Sequence, residues 1–108
     1  MRTNSVQLIG FVANDLKEQK ASSGDKKVII RVATSESYTD KTGNTAWSTS
    51  WHDVVAWDEV GHFASCNFVK GSKILVQGSI HYRTYPDLHG HKRYVTEIKA
   101  LALQNLDR

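Results

Sequence analysis

Apolar and polar side chains alternate along most of this chain with a period of two, which is the pattern of β-strands that bury one face. Five segments show this alternation: residues 6–12, 27–34, 50–57, 73–82 and 93–103. Residues 58–68 instead place Val60, Ala64 and Phe68 at helical spacing. Asp58 stands where a helix N-cap is expected. The pattern therefore predicts the element order β-β-β-α-β-β.

Polar segments connect the predicted elements. Residues 22–25 and 86–90 are rich in turn-forming residues and predict tight turns. Residues 35–49 are mostly polar and predict a long loop around Gly43, of a length that is typical of functional segments. Five strands with one short helix between the third and the fourth is the order of the OB-fold, a five-stranded Greek-key barrel. We predict an all-β fold of this kind, with residues 1–108 as a single domain.

Positive charge lies in the outer thirds of the chain. The formal net charge is +3 and the pI is near 9.1. Residues 36–68, however, carry one basic and five acidic residues, together with all three tryptophans. A basic chain favours an anionic partner. If that partner is DNA, folding must bring cations and stacking rings together from different segments.

No segment has the length and apolarity of a signal peptide or a membrane span. The single cysteine, Cys66, cannot form an internal disulfide, which fits a reducing compartment. The sequence therefore predicts a cytoplasmic protein without a membrane partner, associated with the nucleoid if it binds DNA.

The third predicted strand has two unlike faces. Val54 and Ala56 share a face that suits a core, whereas Trp51 and Trp57 share the other face with Asp53. Large aromatic side chains are mostly buried in small domains, but an aspartate between two tryptophans is unsuited to a core. We interpret this face as exposed and able to stack on bases.

Five short blocks, in a consistent order and spacing, carry a resemblance to a known family. They are residues 4–10 (NSVQLIG), 33–38 (ATSESY), 50–57 (SWHDVVAW), 70–73 (KGSK) and 93–97 (RYVTE). Together they resemble the bacterial single-stranded DNA-binding protein family. The resemblance implies an OB-fold, a homotetramer that wraps single-stranded DNA over aromatic platforms, no catalysis, and no cofactor or bound metal.

The resemblance also implies DNA-binding positions. Four rings match the positions at which the family stacks bases: Tyr38, Trp51, Trp57 and Tyr85. Four cations match its basic pattern: Lys41, Lys70, Arg83 and Arg93. Asp53 and Glu59 stand where known members carry a basic residue, and Trp47 matches no ring of the family. The sequence leaves open whether Trp47 contacts DNA or packs within its loop.

The chain departs from the family pattern at its end. Members usually add a disordered tail rich in Gly, Pro and Gln, whose acidic tip recruits replication and repair proteins. This sequence ends at Leu106-Asp107-Arg108, so tail-dependent partners are not part of the expected function. Two explanations stay open, a native lack of the tail or its removal.

Other functions stay open as alternatives. The main one is a primosomal replication protein of similar size and fold, a dimer that acts through protein partners. A protein-only interaction module would use Trp51 and Trp57 as a partner patch. An enzyme is not expected, because the carboxylates are scattered rather than clustered around a metal position and Cys66 has only His62 one helical turn away. The histidines near the last hairpin lack the cysteine or carboxylate that would complete a metal site.

Overall fold

The computed structural model describes residues 3–107 of the chain. These residues form six strands and one helix, in the order β1 (Val6–Val12), β2 (Lys17–Lys20), β3 (Lys26–Thr39), β4 (Thr45–Trp57), α1 (Asp58–Asn67), β5 (Lys73–Pro86) and β6 (Lys92–Asn105). The strands belong to one sheet with the order β1-β5-β6-β4-β3-β2. Neighbouring strands are antiparallel, except that β4 and β6 run parallel.

The sheet closes on itself because β1 pairs with β3 as well as with β5. Phe11 lies opposite Ala33 and Val12 lies opposite Val32 at this seam. Gly10 permits the close approach, since a Cβ atom there would lie 2.4 Å from the backbone oxygen of Ala33. Strands β1, β3, β4, β6 and β5 thus form a closed five-stranded barrel with one helix, which confirms the predicted OB-fold.

The barrel interior is filled mainly by β-branched and small side chains, which suit the crowded inner surface of a small barrel. Alternation along β3 and β4 places Ile30, Val32 and Val54 inside, with no exposed surface. The helix α1 contributes Ala64 to the same core, and Phe68 at its C-cap packs there as well. Burial of this apolar surface is the main stabilising contribution, at about 25 cal/mol per Å².

The β3–β4 hairpin extends beyond the barrel core, and the predicted loop over residues 35–49 was wrong. The two strands stay paired as far as Thr39 and Thr45, so that only residues 40–44 form the turn. Most side chains on both faces of this extension are exposed. The sequence there shows no apolar alternation because neither face packs on a core.

The short strand β2 was not predicted either. Its four residues are all polar and exposed, and it pairs with the start of β3, placing Lys17 opposite Ile29. Because β2 lies at the outer edge of the sheet and packs no apolar face, its sequence carries no alternation signal.

The start of α1 also differs from the prediction. Trp57 occupies the N-cap in an extended conformation, and no side chain caps the helix. Asp58, the expected cap, has a φ of 50°. This left-handed conformation is incompatible with the extended geometry that an N-cap residue adopts. Asp58 and Glu59 still place negative charge in the first turn, where it complements the helix dipole.

Candidate nucleic-acid interface

Three tryptophans lie on one face of the β3–β4 hairpin. The pairing register is continuous through Trp47, Trp51 and Trp57. Because side chains alternate along a strand, all three point away from the side on which Val54 and Ala56 enter the core. Trp47 is 69% exposed and Trp51 is 56% exposed, while Trp57 is half-buried. The structure thus places Trp47 on the same face as the two tryptophans that were predicted to bind.

Two cations of β3 lie beside these rings. Lys27 is directly opposite Trp57, and its Nζ atom is 5.5 Å from the ring centroid. The guanidinium carbon of Arg31 is 5.8 Å from the centroid of the Trp51 ring. Both distances are within the range of cation–π interactions. We call the surface formed by Trp47, Trp51, Trp57, Lys27 and Arg31 the ring face.

Lys27 and Arg31 are not among the cations that the sequence predicts to bind DNA. Their side chains alternate with the buried Val28 and Ile30, so the sequence places both cations on the outer face of their strand. The sequence does not give the pairing register between β3 and β4, and this register determines which ring each cation faces. A hairpin turn recognised at residues 40–44 would have supplied that register.

A carboxylate shares the ring face. Asp53 lies opposite Arg31, and its Oδ1 atom accepts a hydrogen bond from Arg31 Nη1 at 3.0 Å. The two side chains remain 41% and 43% exposed, respectively, so the ion pair adds little to stability. It does hold the guanidinium near the Trp51 ring, and it offsets one positive charge on this surface.

The β5–β6 hairpin carries a second cluster of predicted residues. Arg93 lies opposite Tyr85, and Arg83 is two residues before Tyr85, so the three side chains share a face. The guanidinium carbon of Arg83 is 5.9 Å from the Tyr85 ring centroid. Arg83 Nε donates a hydrogen bond to Glu97 Oε1 at 2.8 Å, and this bond raises the pKa of Arg83 above its ordinary value.

Asp87 organises the tip of this second hairpin. Its Oδ1 atom accepts hydrogen bonds from the backbone N–H groups of His89 and His91, each at 2.9 Å. Its Oδ2 atom accepts a hydrogen bond from Arg93 Nε at 3.0 Å. This turn therefore fixes the side chain of Arg93 and offsets its charge.

The remaining predicted residues lie elsewhere. Tyr38 is opposite Ala46 and so points to the other face of the β3–β4 hairpin, where it is exposed. Lys41 lies in the turn at the tip of that hairpin, and Lys70 lies in the turn between α1 and β5. The ring face therefore holds two of the eight predicted binding residues, and the shared face of the β5–β6 hairpin holds three.

Asp40 organises the tip of the β3–β4 hairpin. Its Oδ1 atom accepts hydrogen bonds from the hydroxyl of Thr42 at 2.6 Å and from the backbone N–H groups of Thr42 and Asn44 at 2.9 and 3.0 Å. The hydrogen bond from the Thr42 hydroxyl is the main cause that holds the pKa of Asp40 below its ordinary value of 3.8. The turn positions Lys41 and pins the pairing register behind it.

The described residues were also predicted to hold no metal site and no catalytic nucleophile, and the side chains concerned lie as follows. Within residues 3–107, no group of three or more His, Cys, Asp or Glu side chains is placed to hold a metal ion. Cys66 Sγ lies 3.6 Å from His62 Nε2 on the exposed side of α1. No helix in this part of the chain is long and apolar enough to cross a membrane.

Residues 3–106 match the Single-strand binding protein family. The Single-stranded DNA-binding protein 1 of Chlorobaculum tepidum is 36% identical over 104 residues, which cover 95% of this chain and 64% of that protein. The protein of the same description from Xylella fastidiosa strain 9a5c is 37% identical over 106 residues, which cover 97% of this chain and 78% of that protein. The chain thus spans less than two thirds of the first relative.

Solved structures show the same arrangement of strands. The Plasmodium falciparum SSB, in complex with ssDNA, has a TM-score of 0.86 at 28% identity and covers 99% of this chain and 97% of its own. A deletion mutant of the single-stranded DNA binding protein from Thermus aquaticus has a TM-score of 0.83 at 22% identity, over 96% of this chain and 50% of its own. The second likeness is one of fold alone.

Proposed function

Because this chain belongs to the single-strand binding protein family, we propose that it binds single-stranded DNA without sequence preference. Bound in this way, it protects the strand during replication, repair or recombination. The observation that carries the proposal is the row of tryptophans on the ring face, with Arg31 beside Trp51 and Lys27 beside Trp57.

Stacking supplies the affinity for bases. Every base has a π-face, so exposed tryptophan and tyrosine rings accept any sequence and contribute about 1–3 kcal/mol per base. Trp51 and Trp57 are predicted platforms on the ring face, where Trp47 adds a further ring. Tyr85 on the β5–β6 hairpin and Tyr38 on the far side of the β3–β4 hairpin are the other two predicted platforms. Duplex DNA keeps its base faces inside the stack and binds this surface poorly.

Cations beside the rings contact the phosphates that link successive bases. Arg83 and Arg93 on the second hairpin are charged but engaged by Glu97 and Asp87. A phosphate offers the same charge-assisted hydrogen bonds as these carboxylates, and exposed ion pairs exchange at little cost. Such contacts release counterions and read no base edges, so affinity falls with salt while sequence preference stays low.

The predicted residues outside the ring face fit a strand that continues around the domain. Tyr38 and Lys41 are exposed along the far side and the tip of the β3–β4 hairpin, and Lys70 is exposed in the turn before β5. We propose that they contact DNA where the strand passes from one face to another.

A separate surface supports self-association. Ile9 and Phe11 of β1 and Leu101 of β6 are exposed apolar side chains, and Ile9 lies opposite Leu75 of β5. We call this surface the β1 face. Within the described residues, β1 pairs with β3 only at its last two positions, so its first residues leave one edge free for another strand. We propose a homo-oligomer built on this surface, a tetramer as the family resemblance implies.

The cellular role follows from DNA binding. Tail-dependent recruitment of replication and repair proteins is not part of the proposal for these residues. The association of rings with cations favours direct DNA binding over a dimeric OB-fold that acts mainly through protein partners. We propose a cytoplasmic location at the nucleoid, where single strands are exposed, and no catalytic activity.

Titration with oligo(dT) and with duplex DNA, at low and high salt, tests this function through tryptophan fluorescence. We expect the single strand to quench the indoles, the duplex to bind far more weakly, and the affinity to fall with salt. Replacing Trp51→Ala removes a platform. It is expected to lower affinity by about 1–3 kcal/mol, roughly 5- to 150-fold, and to remove much of the quench.

Tyr94→Ala is the matched control for Trp51→Ala. Tyr94 is exposed and lies opposite Thr84, on the other face of the β5–β6 hairpin from Tyr85. We expect its removal to leave affinity nearly unchanged. Absence of both quench and binding to oligo(dT) at low salt would contradict the proposed function.

A further inference from the structure

A depression joins the ring face to the β5–β6 hairpin. It is lined by Lys27, Val55, Trp57, His81, Glu97 and Lys99. We propose that it is a phosphate-binding subsite for the DNA backbone, held by Lys27 and Lys99. The inference rests on the proposed function and names a specific site within it, at two lysines outside the basic positions that the family resemblance implies.

The two lysines flank β4 from opposite sides. Lys27 lies opposite Trp57 on β3, and Lys99 lies opposite Val55 on the parallel neighbour β6. Neighbouring strands are about 4.8 Å apart and Trp57 is two residues beyond Val55 on β4, so these backbone positions are separated by roughly 12 Å. Lysine side chains have long, flexible stems with a compact charge, and the two ammonium groups can therefore converge over β4 on one anion.

Among the described residues, the positive charges of Lys27 and Lys99 are not offset by ion pairs, in contrast to those of the arginines on the same two hairpins. Within residues 3–107, neither Lys27 nor Lys99 forms an ion pair, whereas Arg31, Arg83 and Arg93 each do. The carboxylate in the lining belongs to Glu97, which accepts a hydrogen bond from Arg83 at 2.8 Å. The depression therefore keeps two cations available for an incoming anion.

The position suits a backbone phosphate rather than a free anion. The Nζ atom of Lys27 is 5.5 Å from the Trp57 ring centroid, so a base stacked on that ring brings its own phosphate next to the lysine. On the β5 side of the depression, His81 Nε2 lies 2.8 Å from Ser79 Oγ. From there β5 leads to the next ring, Tyr85. The subsite thus links two platforms that lie on different hairpins.

The test compares the salt dependence of oligo(dT) binding for the wild type, the double variant Lys27→Gln/Lys99→Gln and the single variant Lys99→Gln. Loss of one phosphate contact makes the negative slope of log K against log salt less steep by about 0.7 for single strands. We expect this change in the double variant, together with several-fold weaker binding at low salt. The single variant Lys99→Gln is expected to show part of this decrease in slope and affinity, although Lys27 remains beside Trp57. Lys27→Arg/Lys99→Arg, which keeps both charges, restores the slope.

Lys20→Gln is the control for charge alone. Lys20 is exposed on the edge strand β2, where it lies opposite Lys26 and does not line the proposed subsite, so the slope for this variant should match that of the wild type. A double variant whose slope equals that of Lys20→Gln, with or without a loss of affinity, overturns the subsite and leaves the proposed function standing. Failure of the wild type to bind oligo(dT) at low salt overturns the proposed function and the subsite with it.

Discussion

Aromatic rings, cations and a carboxylate meet at the ring face, where the ring and the carboxylate both interact with the same cation. Arg31 lies beside the Trp51 ring while its guanidinium donates a hydrogen bond to Asp53. The resemblance to the family implies a basic residue at the position of Asp53, so this chain has one cation on β3 and one opposing carboxylate on β4. A phosphate that binds Arg31 must share it with Asp53 or displace that carboxylate. We therefore expect Asp53 to weaken DNA binding at this ring.

Replacing Asp53→Asn is expected to strengthen oligo(dT) binding. The amide oxygen keeps the hydrogen-bond acceptor but removes the charge, so Arg31 becomes available to a phosphate. Affinity at low salt should rise several-fold, and the slope of log K against log salt should steepen by about 0.7. Fluorescence titration across a salt series measures both quantities.

Asp25→Asn serves as the comparison for Asp53→Asn, because Asp25 lies in the turn between β2 and β3 and its carboxylate accepts a hydrogen bond from Ser23 rather than from Arg31. It removes the same charge from the chain and should change the slope little. Equal behaviour of the two variants would show that Arg31 does not reach the DNA.

The β3–β4 extension shows how one element positions a site without a core beneath it. Its side chains are exposed on both faces, so packing does not select the pairing register. A slip by one residue would move Trp47 to the opposite face of the hairpin. The turn organised by Asp40 supplies the missing constraint through its hydrogen bonds to Thr42 and Asn44.

Replacing Asp40→Ala is expected to loosen the extension while leaving the barrel intact. The variant loses the acceptor of three hydrogen bonds, so amide hydrogen exchange over residues 35–49 should accelerate, while Tm changes little because the core is untouched. Binding of oligo(dT) should weaken through Trp47. Unaltered exchange in this segment would argue against the role of the turn.

Asp40→Asn separates charge from hydrogen bonding at the same turn. The folded-state pKa of Asp40 lies below its ordinary value of 3.8. Its contribution to stability is therefore present above that value and is lost as the pH falls through the folded-state pKa. The protection factors of the amides at the tip, which correct for the intrinsic pH dependence of exchange, should fall on acidification in the wild type, and this fall should be absent in the asparagine variant.

The whole molecule presents two surfaces that we propose to be functional. The ring face and the β5–β6 hairpin carry the rings and cations proposed to bind DNA, while the β1 face carries exposed apolar side chains and, within the described residues, a free strand edge. Phe11 of the β1 face lies opposite Ala33, and Ala33 lies opposite Trp51, so the two surfaces approach each other at the seam of the barrel.

Replacing Ile9→Glu is expected to lower the oligomer mass. The charge would enter the apolar β1 face, where its burial between two copies is costly, whereas an isolated domain exposes it to water and keeps its fold. Native mass spectrometry and sedimentation at micromolar concentration measure the change. Val69→Glu, at an exposed apolar residue in the turn before β5, should leave the mass unaltered. A monomeric wild type would contradict the proposed assembly.

The sequence by itself determined those features that depend on local pattern. Alternation placed Val54 and Ala56 in the core and Trp51 on the outer face, and the order of elements predicted the barrel. The separation of basic and aromatic segments also predicted that cations from outside the acidic middle of the chain would meet its rings, and the structure brings Lys27 and Arg31 to them. These features follow from the period of a strand, which local residues set.

Tertiary structure alone decided what depends on register and on neighbours distant along the chain. The pairing of Arg31 with Asp53, the approach of Lys27 to Trp57 and the placement of Lys99 beside Val55 each require a specific alignment of separate strands. The polar extension and β2 escaped prediction because the hydrophobic effect leaves no pattern where no face is buried. The turn at Asp40 and the closure of the barrel fix these alignments, and with them the distribution of charge around the rings.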